Sequence, residues 1–141
     1  MRSFVTSGIA AAGLVLSGMA ASAQAGVVTT VLIKDGLTTS ISVSGTPNIL
    51  GTVTPSLSPV GTGATNTNYI VSPYTTIASA HFSYASGSKT CRFDTSLTVV
   101  NGIPSWTKQA TSTGGTYANC GATITAVDLS TYNYTVQFTM Q

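Results

Sequence analysis

The strongest constraint on folding lies between Thr131 and Gln141. Tyr132, Tyr134, Val136, Phe138 and Met140 occupy every second position, and Thr131, Asn133, Thr135, Gln137, Thr139 and Gln141 fill the gaps. With no Gly or Pro in the run, this is the pattern of a β-strand with one buried and one wet face. At about 3.3 Å per residue such a strand spans roughly 35 Å. Its apolar face needs a second layer to cover it.

Other segments repeat the pattern. Thr76–Tyr84 places Ala78, Ala80, Phe82 and Tyr84 on one face and Ile77, Ser79, His81 and Ser83 on the other. Thr90–Val100 sends Cys91, Phe93, Leu97 and Val99 inward. Arg92, Asp94, Ser96 and Thr98 point outward, Arg92 and Asp94 close enough to pair. Tyr117–Val127 puts Ala118, Cys120, Ala122, Ile124 and Ala126 on one face. Ser86-Gly87-Ser88 and Asn101-Gly102 are turn signals, and Pro104 confines the strand after Asn101-Gly102 to an edge or a late start.

Near the start, Asp35-Gly36 predicts a type I′ hairpin over Val27–Val43, in which both turn residues take positive φ. Its register pairs Lys34 with Leu37, Leu32 with Thr39, Thr30 with Ile41 and Val28 with Val43. One face then holds Val28, Leu32, Leu37, Ile41 and Val43. Ile49–Val53 and Tyr69–Val71 read as brief strands. Thr54–Thr67, rich in Ser, Thr, Pro and Gly, reads as a long mobile loop and a candidate binding loop. The expected fold is all-β: an antiparallel β-sandwich of eight or nine strands, of the Ig-like, Greek-key type.

The first residues read differently. Met1-Arg2-Ser3 is a short basic start, Phe4–Ala20 is small and mostly apolar, and Ala21-Ser22-Ala23 and Ala23-Gln24-Ala25 are small-x-small cleavage sites. Residues 1–25 are expected to be a cleaved signal peptide, and 26–141 a single secreted domain with no stable membrane span. Its place is the periplasm, the cell surface or the extracellular space. In that setting an even cysteine count implies a disulfide, Cys91 with Cys120, both on inward faces.

Charge narrows the functions. The chain has five basic residues, three acidic ones (Asp35, Asp94 and Asp128) and no Glu. No basic patch is available for nucleic acid. Low charge also gives little mutual repulsion, which suits a protein that associates. Two cysteines and the single His81 are too few for a metal centre, and no cofactor motif appears. A triad from His81, Asp94 and one of many serines is arithmetically possible, and a small hydrolase around His81 is one reading. No Gly-x-Ser-x-Gly elbow marks a nucleophile. Asp35 and Asp128 suit turns. The expectation is therefore no catalytic residue and no enzyme. Trp106, beside Ser105 and Lys108 near a turn, is the candidate ligand contact.

Several features together resemble the fimbrial, pilin-like subunits that bacteria export and assemble on their surface. They are the leader ending Ala-Gln-Ala, the Cys91/Cys120 pair, Ser/Thr/Ala/Gly richness with few charges, and the alternating Tyr134, Val136, Phe138 and Met140. The resemblance implies a structural subunit whose N-terminal segment, here Val27, Val31 and Ile33, completes a neighbour's sheet by strand addition. The Asp35-Gly36 hairpin would instead tie that segment into its own fold. The implied partners are the protein itself or other surface subunits. The alternative is a monomeric secreted binding module for carbohydrate, using Thr54–Thr67 and Trp106.

Overall fold

A computed structural model describes residues 26–141. The expected signal peptide, residues 1–25, lies outside them. Nine strands form: β1 (Val28–Asp35), β2 (Ser42–Ile49), β3 (Thr52–Thr54), β4 (Thr65–Val71), β5 (Ile77–Ser86), β6 (Lys89–Val100), β7 (Ile103–Ser112), β8 (Cys120–Val127) and β9 (Tyr134–Met140). They make a five-stranded sheet in the order β3-β4-β1-β9-β8 and a four-stranded sheet in the order β2-β5-β6-β7. The two sheets pack as a β-sandwich, and all the neighbours are antiparallel except β1 and β9, which run parallel.

The core follows the alternation. Phe82 and Phe93 from the four-stranded sheet meet Phe138 from the other. Phe93 stacks on Phe138 at 4.7 Å, and Phe82 meets Phe138 edge-on at 5.5 Å. Such pairs add about 0.5–1.5 kcal/mol each beyond their buried area. Ala78, Ala80, Tyr84, Cys91, Leu97, Val136 and Met140 are buried around them, as their parity requires. Cys91 of β6 and Cys120 of β8 form a disulfide that joins the two sheets past β7, with Cα atoms 5.6 Å apart.

The turn residues divide sharply. At Asn101-Gly102 the backbone takes φ of 50° and 75°, and Val100 pairs with Ile103 across the two-residue loop. This is the type I′ geometry that the dipeptide predicts. Asp35-Gly36 does not form it: neither residue has positive φ, and β1 does not pair with β2. The donors at this point are already taken. The Asp35 amide bonds Ala64 O at 3.0 Å, the Gly36 amide bonds Met140 O at 2.9 Å, and Asp35 Oδ1 accepts from the Leu37 amide at 2.8 Å. The chain then leaves the five-stranded sheet, bridges Ile41 to Val60, and enters the other sheet as β2.

The predicted inner face of β1 is therefore inverted. Val27, Thr29, Val31, Ile33 and Asp35 point inward, while Val28, Thr30 and Leu32 are half-buried on the outside. Strand bounds shift elsewhere. The short strand expected over Ile49–Val53 is a sheet-changing corner between β2 and β3. Tyr69–Val71 extends back to Thr65 as β4. β8 begins at Cys120 rather than Tyr117. β9 begins at Tyr134, because Tyr132 has a φ of 62° that no strand continues through.

Candidate functional site

Three places hold side chains that could do chemistry or bind. The first is the outer face of the four-stranded sheet. The β5–β6 register sets His81 opposite Asp94, and His81 lies opposite Asn48 of β2. His81 Nδ1 hydrogen-bonds Asp94 Oδ1, and Arg92 Nε donates to Asp94 Oδ2 at 3.2 Å. The side chains are 42%, 25% and 49% exposed for His81, Asp94 and Arg92. So the sequence-level pairing of Arg92 with Asp94 forms, and His81 joins it. An imidazole oriented by a carboxylate is two-thirds of a triad. The third part is not assembled: Ser79 and Ser83 flank His81 on its own strand, and no hydroxyl is hydrogen-bonded to the ring among the described residues. Ser96 bonds Thr107, hydroxyl to hydroxyl, at 2.6 Å instead.

The second place is the segment 55–64, the part of the expected binding loop Thr54–Thr67 that lies between β3 and β4. It is fastened. Tyr84 OH donates to Ser58 O at 3.0 Å, Asn68 Nδ2 donates to Pro55 O at 2.7 Å, and Asn66 Nδ2 donates to Pro59 O at 3.1 Å. Val60 is fully buried. The segment closes one end of the core rather than hanging free. Burial pushes the Tyr84 hydroxyl up to about 12.

The third place is the edge where β7 and β8 approach. Trp106 lies in β7, opposite Leu97, so its ring turns inward and packs half-buried against the core, with Nε1 3.5 Å from Tyr132 O. The open aromatic here is Tyr117, which precedes β8 instead of starting it. It is 77% exposed, beside an open groove of about 510 Å³ that Ala110, Thr111, Ser112, Gly114, Ala118 and Cys120 line.

The other acids serve the backbone. Asp128 Oδ1 accepts from the Ser130 hydroxyl at 2.7 Å and the Ser130 amide at 2.8 Å. Those bonds, the hydroxyl first, hold its carboxyl down to about 2. Asp35 and Asp128 thus each accept from the amide two residues on, although the hairpin expected at Asp35-Gly36 does not form. Among the described residues no three His, Cys, Asp or Glu side chains gather in a way that would hold a metal ion, and no helix is long and apolar enough to cross a membrane. Comparison of the chain with family models, curated proteins and solved structures finds no match.

Proposed function

We propose that this protein is a non-enzymatic structural subunit, exported by a bacterium to the cell surface or the extracellular matrix, that associates with copies of itself by strand pairing. In this reading residues 1–25 are the signal peptide, the mature domain is a sandwich of the Ig-like, Greek-key type, and the resemblance to pilin-like subunits is one of construction. A disulfide suits an oxidising compartment. Four changes of sheet, at β1–β2, β2–β3, β4–β5 and β7–β8, support the Greek-key assignment.

The observation that carries the reading is the place of β1. It is the first strand of the domain, yet it lies in the middle of the five-stranded sheet, between β4 and β9. Outer edges are poor routes to strand addition here. β3 has three residues, β2 is irregular between Ser44 and Asn48, β7 contains Pro104, and Lys108 Nζ donates to Ala122 O of β8 at 3.2 Å. Such features blunt an edge. β1 is different: in the proposed mature chain its one covalent link to the other strands is residues 36–41, and its inward side chains fill a slot that a second copy's β1 fits equally well. Exchange of an identical element is a low-cost route to assembly.

The test is light scattering behind size exclusion over a concentration series. The full chain is expressed in a bacterium with an oxidising periplasm, and the mass of the recovered product is measured. Cleavage after Ala23 or Ala25 and growth of oligomers with concentration are expected. A monomer at every concentration refutes self-association.

A further inference from the structure

We infer that the groove at the β7–β8 edge, with Tyr117 at its mouth, is a binding site for a neutral saccharide. The inference does not depend on self-association.

An aromatic ring left 77% exposed buries little of its apolar surface in the fold. Tyr117 is the most exposed large hydrophobic side chain among the described residues. Yet the loop that presents it is fastened on both sides. The Thr113 amide bonds Thr90 O at 2.9 Å, the Thr116 amide bonds Ser88 O at 3.1 Å, and the Ser88 and Thr116 hydroxyls meet at 2.6 Å. Gly114 lies so close to the β5–β6 turn that a Cβ there would run into the Ser88 carbonyl. On the far side, the Ala118 amide bonds Ser112 Oγ at 3.0 Å, Asn119 and Gln141 exchange two backbone bonds, and Cys120 is held by the disulfide. These anchors are made by residues around Tyr117, and none uses its ring. The backbone that carries the ring is thus fixed while the ring itself is open, and a ligand that stacks on it does not have to order the loop.

The lining selects the ligand's class. Thr111, Ser112 and the loop backbone offer hydroxyls and peptide groups, Ala110, Ala118 and the disulfide offer apolar wall, and none of the lining residues is charged. The exposed lining is thus more polar than apolar, and its polar groups would fix a ligand's orientation. A neutral sugar ring has the matching build: an apolar C–H face for Tyr117 and a rim of hydroxyls for Thr111, Ser112 and the loop carbonyls. A phosphate or carboxylate would find no cation in the groove.

The experiment uses the oxidised, isotope-labelled domain as recovered from the periplasm, at a concentration where it is monomeric. Cellotriose, maltotriose and the trimer of N-acetylglucosamine are titrated while backbone amide resonances are followed. Saturable shifts confined to Thr111–Cys120 with at least one trisaccharide are expected. Tyr117→Ala should weaken that binding about tenfold or more, since an aromatic side chain is worth that much when covered, with an unchanged melting temperature. Trp106→Phe should leave it unaltered. No saturable shift with any of the three sugars overturns the inference. So do shifts centred on residues 55–64 or on Trp106, and so does a Tyr117→Ala variant that binds as well as the parent.

Discussion

The Tyr134 hydroxyl donates to the Thr95 hydroxyl across the interior, 3.0 Å away, tying β9 of one sheet to β6 of the other. Thr95 Oγ1 in turn donates to Thr107 O at 2.9 Å, so a short polar chain crosses the core. A buried bond of this kind contributes about 1 kcal/mol, and an orphaned partner costs more. Tyr134→Phe leaves Thr95 with its bond to Thr107 and should lower the unfolding free energy by about 1–2 kcal/mol. Urea unfolding measures this. No change would mean that the bond contributes nothing net.

Two tyrosines set the alkaline limit. Burial pushes Tyr84 from 10.0 up to about 12, and burial also raises Tyr134. Both must be neutral in the folded state. Their contribution is therefore fully present below about pH 10, the unfolded value, and is lost as pH rises from there through the folded value. Melting temperature should fall between pH 10 and 12. Tyr84→Phe should flatten that fall, and an equal fall in the variant would assign it to other groups.

Reduction should be costly. Cys91 and Cys120 are 29 residues apart in sequence. Chain-entropy arguments give about 3–4 kcal/mol for closing such a loop. Urea unfolding of the Cys91→Ala, Cys120→Ala double variant against the oxidised protein should show a loss of that size. A loss under about 1 kcal/mol would mean that the strands it joins are held by packing alone.

Strand exchange can be blocked without touching the core. Thr30 of β1 and Thr135 of β9 are neighbours in register, both half-buried on the outer face. Thr30→Cys with Thr135→Cys, oxidised as a monomer, should lock β1 in its own sheet. Light scattering should then show no growth with concentration, whereas the Thr30→Ser, Thr135→Ser variant should still grow. Growth in the locked protein would remove β1 as the exchanged strand.

The surface cluster should matter little to stability. His81, Asp94 and Arg92 are partly exposed, where ion pairs contribute about 0–1 kcal/mol. His81→Ala should keep the melting temperature within a few degrees, since 1 kcal/mol shifts it by about 2–8 °C across domains of about 60 to 250 residues. That stability makes the variant a clean assay for the non-enzymatic reading. Ester or glycoside hydrolysis by the parent that vanishes in the variant would overturn it.

What the sequence shows well is parity and local turns. The inward faces of β5, β6 and β9 and the turn at Asn101-Gly102 were legible because each depends on residues two to four apart. Partner choice was not. Asp35-Gly36 carries the same local signal as Asn101-Gly102, but Ala64 and Met140, distant in sequence, claim its backbone groups first. β1 is apolar on both sides, so alternation could not fix its face, and the turn signal then chose the wrong one. The cluster at His81 was half visible: Arg92 and Asp94 share a strand, whereas bringing His81 to them needs the β5–β6 register. Tyr117 was read only as the start of a strand, since its exposure follows from loop anchors at Ser88, Thr90 and Gln141 that no local pattern announces.

Because β1 and β9 run parallel, Thr29 beside Tyr134 and Asp35 beside Met140, residue 26 and Gln141 leave the domain at opposite ends. Tension applied between these two points acts along adjacent strands in opposite directions. It loads all their shared hydrogen bonds at once, in shear, instead of unzipping them one after another. The topology thus gives the domain a stiff mechanical axis, with the bond between its first and last strands as the element that bears the pull.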